Sequence, residues 1–140
     1  MRDLSEKQSF ASLYHKELND CMNTREIFLK GNEIAWESVG EGLKRQILCY
    51  DSHLMMTRVV FEKGAIGSLH HHPHRQVTYV EEGSFEVEID GEKEVLGSGD
   101  SFFVPPYKAH GVVALEKGAL IDVFAPYRQE FVADRSREQI

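Results

Sequence analysis

The stretch Gly67-Ser68-Leu69-His70-His71-His72-Pro73-His74-Arg75-Gln76 carries the densest chemistry in the chain. In an extended strand, residues two apart point to the same face. His70 and His72 therefore present two imidazoles side by side, while His71 points away. Pro73 suggests a turn, after which Gln76 can bring its amide oxygen back to that face. Such a set converges only where the face lines a concave interior, which a small β-barrel supplies. The segment Gly97-Ser98-Gly99-Asp100-Ser101-Phe102-Phe103-Val104-Pro105-Pro106-Tyr107-Lys108-Ala109-His110-Gly111 reads as a strand, a tight turn and a further strand opening on His110.

The flanking sequence supports an all-β domain. Arg45–Tyr50, Leu54–Glu62, Gln76–Glu82, Ser101–Val104, His110–Leu115 and Ala119–Ala125 read as short strands. Phe85, Val87 and Ile89 alternate with Glu86, Glu88 and Asp90, which predicts a half-buried strand with a solvated acidic face. Asp90-Gly91 is a type I′ hairpin signal, and Glu94–Leu96 returns along it. Many short strands with regular turns and no intervening helix predict a sandwich or barrel. Residues 1–30 differ: Phe10, Leu13, Tyr14, Leu18 and Cys21 fall at helical spacing, with Ser5 and Gln8 placed to cap. That pattern predicts an amphipathic helix packed on the domain or on a second subunit. The organisation expected is an extension over 1–30, a β-domain over 33–132 and a tail over 133–140.

Composition bounds the function classes. The 140 residues suit one domain with its own core, and 41% hydrophobic with 28% charged residues is the balance of a globule. A net charge of -7 argues against a nucleic-acid partner, which needs a basic face. No stretch approaches the roughly 20 apolar residues of a membrane span. Met1-Arg2-Asp3-Leu4-Ser5-Glu6 has no signal-peptide core, and the cysteines, Cys21 and Cys49, form no CxxC pair, so a cytoplasmic setting with reduced thiols is expected.

The histidine segments carry a family resemblance. Gly64 through Gly83 resembles the cupin pattern G-x5-H-x-H-x3-E-x6-G, with Gln76 in place of the usual glutamate. Gly99 through His110 resembles G-x5-P-x-G-x2-H, with Tyr107 in place of the glycine, and Ala114 stands where asparagine is usual. His72-Pro73-His74-x-Gln76, His110-Gly111-Val112-Val113-Ala114-Leu115-Glu116 and Leu120-Ile121-Asp122-Val123-Phe124-Ala125-Pro126-x-Arg128 are similar to the KdgF cupins of pectin and alginate degradation, over about residues 33–132.

The resemblance implies a single-domain cupin β-barrel, or jelly roll, that binds one divalent ion through His70, His72, Gln76 and His110. Gln76 has a second reading, a hydrogen bond to a ligand or water. Three neutral imidazoles and a neutral amide leave the ion's charge uncompensated, which strengthens it as a Lewis acid and suits an anionic substrate. The mixed N/O donor set fits Zn, Ni, Fe, Mn or Co. The resemblance further implies that Asp122, Phe124 and Arg128 line the active site. Asp122 shares a face with Leu120 and Phe124, and its two readings are an inward carboxylate near the metal and a structural salt bridge to Arg128. Arg58, Arg75, Tyr79 and Tyr107 are weaker candidates. Arg58 reads equally as a lumen-side carboxylate anchor and as an exposed charge. His71 and His74 are expected to face solvent or hold the turn, and Trp36 to pack.

The implied activity is metal-dependent conversion of 4,5-unsaturated monouronates to the linear 5-keto uronate. A homodimer is also implied. Two other classes stay open on the same residues: a different metal-dependent cupin enzyme such as a dioxygenase, and a non-catalytic sugar-binding cupin.

Overall fold

The computed structural model describes residues 27–133. The predicted helix over Phe10 to Cys21 and nearly all of the expected C-terminal tail lie outside the described residues. After a 3-10 turn at Gly31–Glu33 the chain runs through β1 (Glu37–Gly40), β2 (Leu43–Tyr50), β3 (Met55–Phe61), β4 (Ile66–His70), β5 (Arg75–Glu82), β6 (Ser84–Ile89), β7 (Glu92–Gly97), β8 (Ser101–Val104), β9 (His110–Ala114) and β10 (Gly118–Ala125). A one-turn helix, α1 (Gln129–Val132), follows. The strands form two antiparallel sheets, ordered β1-β2-β3-β10-β5-β8 and β4-β9-β6-β7. The all-β expectation holds, and each strand read from the sequence is present. β1 was not anticipated: its four residues are mostly exposed and carry no alternation, so only its pairing with β2 defines it.

The period-two pattern becomes the core. Phe85 and Val87 of β6 point inward and pack with Phe61, Val80, Ala114 and Leu120. Their neighbours Glu86 and Glu88 reach out to Lys93 on β7, at 3.7 and 3.8 Å. Solvated pairs of this kind add little stability, so the strand is held by its apolar face. The β6–β7 connection has φ of 51° at Asp90 and 83° at Gly91, as a type I′ turn requires. A second apolar cluster of Ile47, Met55 and Phe124 lies against Tyr50, Tyr127, Phe131 and Val132, tying α1 to the six-stranded sheet.

Register then decides which side chains meet. β10 lies between β3 and β5, with Asp122 opposite Thr57 on one side and Thr78 on the other. Two residues on, Phe124 stands opposite Met55 and Gln76. Residues opposite one another in an antiparallel pair share a face, so Thr57, Asp122 and Thr78 form one inward row, and Met55, Phe124 and Gln76 form the next. In the other sheet, β4 and β9 pair so that His70 is opposite His110. Gly111 permits this approach, because a Cβ there would come within 2.8 Å of the Gly67 carbonyl.

Candidate metal centre

His70 comes from the end of β4, His72 from the turn after it, Gln76 from the start of β5 and His110 from the start of β9. The imidazoles of His70, His72 and His110 offer nitrogens that all lie within 4.8 Å of one another, and these residues can hold a metal ion. The ring centroids of His70 and His110 are 4.3 Å apart, and those of His72 and His110 are 4.7 Å apart.

Each of these rings is oriented by a backbone carbonyl. Nδ1 of His70 donates to the Ser68 oxygen at 2.8 Å, Nδ1 of His72 to the His74 oxygen at 3.1 Å, and Nδ1 of His110 to the Lys108 oxygen at 2.9 Å. A carbonyl only accepts, so Nδ1 carries the hydrogen and Nε2 is left with its lone pair directed inward. Burial holds His110 well below its ordinary pKa, at about 4, and the charges of His70, His72 and Arg128 add to this against the Lys108 carbonyl. Burial, then the Arg128 charge, lowers His72 too. Both rings are therefore neutral at physiological pH.

Two features fit a cation at this point. Nε2 of His110 is buried without a hydrogen-bond partner among the described residues. Nε2 of His72 lies 3.1 Å from Oε1 of Gln76. With Nδ1 as donor and the ring neutral, that contact sets two lone pairs against each other, and a shared cation resolves it.

The Gln76 amide is held so that its oxygen points to the histidines. Its Nε2 donates to Oγ1 of Thr78 at 2.9 Å and to Oδ1 of Asp122 at 3.4 Å. The Thr78 hydroxyl donates in turn to the same Asp122 oxygen at 2.6 Å, and Thr57 donates to Oδ2 at 3.5 Å. Asp122 thus lies on the inward face beside Gln76 and Thr78. Burial raises its pKa, against the hydrogen bonds of Thr78 and Thr57 and the Arg128 charge.

Among the described residues, Arg128 pairs through Nε with Glu130 rather than with Asp122, so the alternative salt bridge is not formed. Its guanidinium lies 5.1 Å from the Phe124 ring centroid and 4.4 Å from that of Phe131. The Phe124 ring meets His72 edge-on at 5.9 Å.

The weaker candidates separate by strand parity. Arg58 pairs with Glu81 at 2.7 Å on the outer face of the sheet, and the exposed Arg75 and Tyr79 also alternate with inward residues of β5. Tyr107 stays close to the site: its N–H donates to the His72 carbonyl at 2.7 Å, which ties the two histidine segments together. Its φ of 66° is the left-handed conformation that the family's glycine adopts without cost, and which costs other residues roughly 1–2 kcal/mol. His74 does more than hold the turn, because its ring packs against His72 at 5.2 Å. Thr57 and Thr78 were not anticipated as part of the site. The available signal was a hydroxyl on the buried face of a core strand, where a polar atom needs a partner.

Comparison with known proteins agrees with this geometry. The cupin-domain family model matches residues 57–124. Over 103 residues the chain is 48% identical to the pectin degradation protein KdgF of Dickeya dadantii (strain 3937), a match covering 72% of this chain and 94% of that protein. The chain belongs to the KdgF family of cupins. Solved structures agree with the assignment. KdgF from Halomonas sp. superposes with a TM-score of 0.72 at 42% identity, over 74% of this KdgF-family chain and 96% of its own. An RmlC-like cupin from Shewanella frigidimarina gives 0.74 at 50% identity, over 75% and 95%.

One consequence for this KdgF-family site is testable directly. Thr78→Val keeps the side-chain volume but removes the acceptor of the Gln76 amide and a donor to Asp122. Loss of such a supporting contact typically weakens metal affinity by about 10–100-fold. A competition titration against a chromophoric chelator is expected to show that loss. Unchanged affinity would mean that Gln76 does not depend on Thr78 for its orientation.

Proposed function

We propose that this chain converts 4,5-unsaturated monouronates, derived from pectin or alginate, to the open-chain 5-keto uronates. The observation that carries the reading is the pair of inward rows in which Asp122 and Phe124 of β10 stand beside Gln76 and the histidine cluster, in a chain of the KdgF family.

The substrate is a cyclic enol ether with a carboxylate. Its isomerisation removes the proton of the C1 hydroxyl, breaks the bond from C1 to the ring oxygen and adds a proton at C4, leaving a C1 aldehyde and a C5 ketone. A divalent ion held by His70, His72, His110 and the Gln76 oxygen would supply Lewis-acid charge for the substrate's oxygens. Arg128 orients the substrate: Glu130 engages its Nε, and its terminal nitrogens form the fork that grips a carboxylate. Phe124, buried against His72 with the Arg128 guanidinium over its ring, shapes the pocket rather than offering a free face to the sugar. Asp122 moves the proton, because a carboxyl raised by burial is a better acid near neutral pH than an exposed one. A cytoplasmic setting suits a small-molecule catabolic enzyme of this kind.

The test is loss of the C4=C5 ultraviolet absorbance of an unsaturated monouronate. Purified metal-loaded protein is expected to accelerate that decay over the spontaneous rate. A rate equal to the spontaneous one, with metal bound, would overturn the reading. Oxygen uptake by an iron-loaded sample would point instead to dioxygenase chemistry.

A further inference from the structure

Between the histidine cluster and Arg128 lies His74, half-buried in the turn from β4 to β5. Its place follows from register. β5 begins with Arg75 opposite Ala125, the last residue of β10. His74, one residue earlier, is therefore level with the segment that leaves β10 and leads through Tyr127 to Arg128.

His74 touches the metal ligands in two ways. Its carbonyl accepts from Nδ1 of His72 at 3.1 Å, which fixes the tautomer of that ligand. Its ring meets the His72 ring edge-on at 5.2 Å. The same ring also meets the Arg128 turn: it hydrogen-bonds to the Tyr127 backbone, and the charges of Arg128 and Glu130 both reach it.

The ring's polar edge has a cost. Its Nδ1 is buried with no hydrogen-bond partner among the described residues. An unpartnered buried nitrogen costs about 1–3 kcal/mol, and a phenyl ring would fill the same place without it. That leaves Nε2 to donate to the Tyr127 carbonyl, and this bond is what an imidazole supplies here and a phenyl cannot. Other contacts hold the turn from around the end of β2, where Tyr127 stacks on Tyr50 at 6.2 Å and donates its N–H to the Ser52 carbonyl at 3.4 Å. Those contacts fix the turn to the sheet, whereas the His74 contact fixes it to the histidines.

We propose that His74 is a positioning residue that sets Arg128 relative to the metal centre, its carbonyl holding His72 while its ring holds the Tyr127–Arg128 turn. This rests on the reading of Arg128 as the grip for the substrate carboxylate. One sugar must meet a guanidinium and an ion at a single spacing, so the two anchors need a rigid link.

The test titrates galacturonate, a saturated monouronate, calorimetrically into zinc-loaded protein. His74→Phe keeps the ring and the carbonyl and removes the polar edge. It is expected to weaken galacturonate binding about tenfold, as when an anchoring group is displaced from its productive place. Zinc affinity, read by chelator competition, should stay near wild type because the carbonyl to His72 remains. His74→Gln, whose Nε2 can reach the same carbonyl, should restore most of the binding. In an Arg128→Lys background His74→Phe should have little further effect, since both act through one contact. With an unsaturated monouronate the loss should fall on KM rather than kcat, the mark of a contact made equally in the ground and transition states. Equal galacturonate affinity in wild type and His74→Phe, or a full additional loss in the Arg128→Lys background, would overturn the inference. A parallel fall in zinc affinity would overturn it too, leaving His74 as a support of His72 alone. Wild-type protein that binds galacturonate but leaves the unsaturated sugar at its spontaneous rate would sink the proposed reaction alone, with this inference still decided by the variants. Wild-type protein that binds no galacturonate would remove the grip and the inference with it.

Discussion

Replacing His110 by alanine is expected to weaken divalent-metal binding by at least about a hundredfold, beyond the range typical of supporting contacts alone. His110 is the most enclosed of the three imidazoles in its chemistry: its Nδ1 is committed to a carbonyl, and its Nε2 is buried with no other partner among the described residues. Chelator competition on the wild type and His110→Ala measures the loss directly. Retained affinity would remove His110 from the donor set.

The same histidine sets a pH response in metal-free protein. Its folded pKa is about 4, whereas an unfolded histidine titrates near 6.5. Above that value neither state is protonated and the contribution is flat. As pH falls below it, the unfolded chain takes up a proton that the folded chain refuses, so stability drops until about pH 4. The total is roughly 3 kcal/mol. His72, lowered in the same direction, adds to the fall. Asp122 opposes it, since a carboxyl raised on folding favours the folded state as acid is added. Urea unfolding of chelator-stripped protein at neutral and mildly acidic pH reads the sum, and comparing its slope with that of His110→Ala isolates this residue. Identical slopes would mean that His110 is not held neutral by burial.

The second large effect concerns turnover. Asp122→Asn is expected to lower kcat by about 10²–10⁴, the usual contribution of a positioned proton-transfer group. The substitution preserves shape, and an asparagine oxygen can still accept from Thr78 and Gln76, as Oδ1 of Asp122 does. Its amide nitrogen can then donate to Thr57. Metal affinity and stability should therefore stay near wild type while the rate collapses. Full activity in Asp122→Asn would remove the proton-transfer role and leave Asp122 as a support for Gln76. A parallel fall in metal affinity would likewise assign it to positioning.

The sequence made the sheet faces and the pairing of His70 with His72 legible, because both depend on spacing along one strand or one turn, whereas His110, on β9, joined the cluster only through the family resemblance. Alternation exposed β6, and the dipeptide Asp90-Gly91 marked its hairpin with the positive φ angles it needs. What was hidden depends on pairing between strands far apart in sequence. Thr57 and Thr78 reach Asp122 only because β10 inserts between β3 and β5, and no local pattern encodes that order. The ambiguity between an inward Asp122 and a salt bridge to Arg128 had the same origin. In the structure Arg128 pairs through Nε with Glu130, two residues on, while the Asp122 carboxylate accepts from Thr78 and Thr57. The two readings of Arg58 also needed a neighbour to separate them, the outward Glu81 of a strand one removed.

The alternation along β10 has a consequence for how such a protein changes over time. Gln76, Thr78, Asp122 and Phe124 take one parity, while Val77, Tyr79, Ile121 and Val123 take the other. Point substitutions can therefore remodel the chemistry and the exterior almost independently, one side drifting while the other is conserved. Insertions and deletions have no such freedom. Losing one residue ahead of Asp122 within the strand would turn its carboxylate outward and set an isoleucine or valine facing the histidines. Variation in these strands should accordingly be rich in replacements and poor in changes of length.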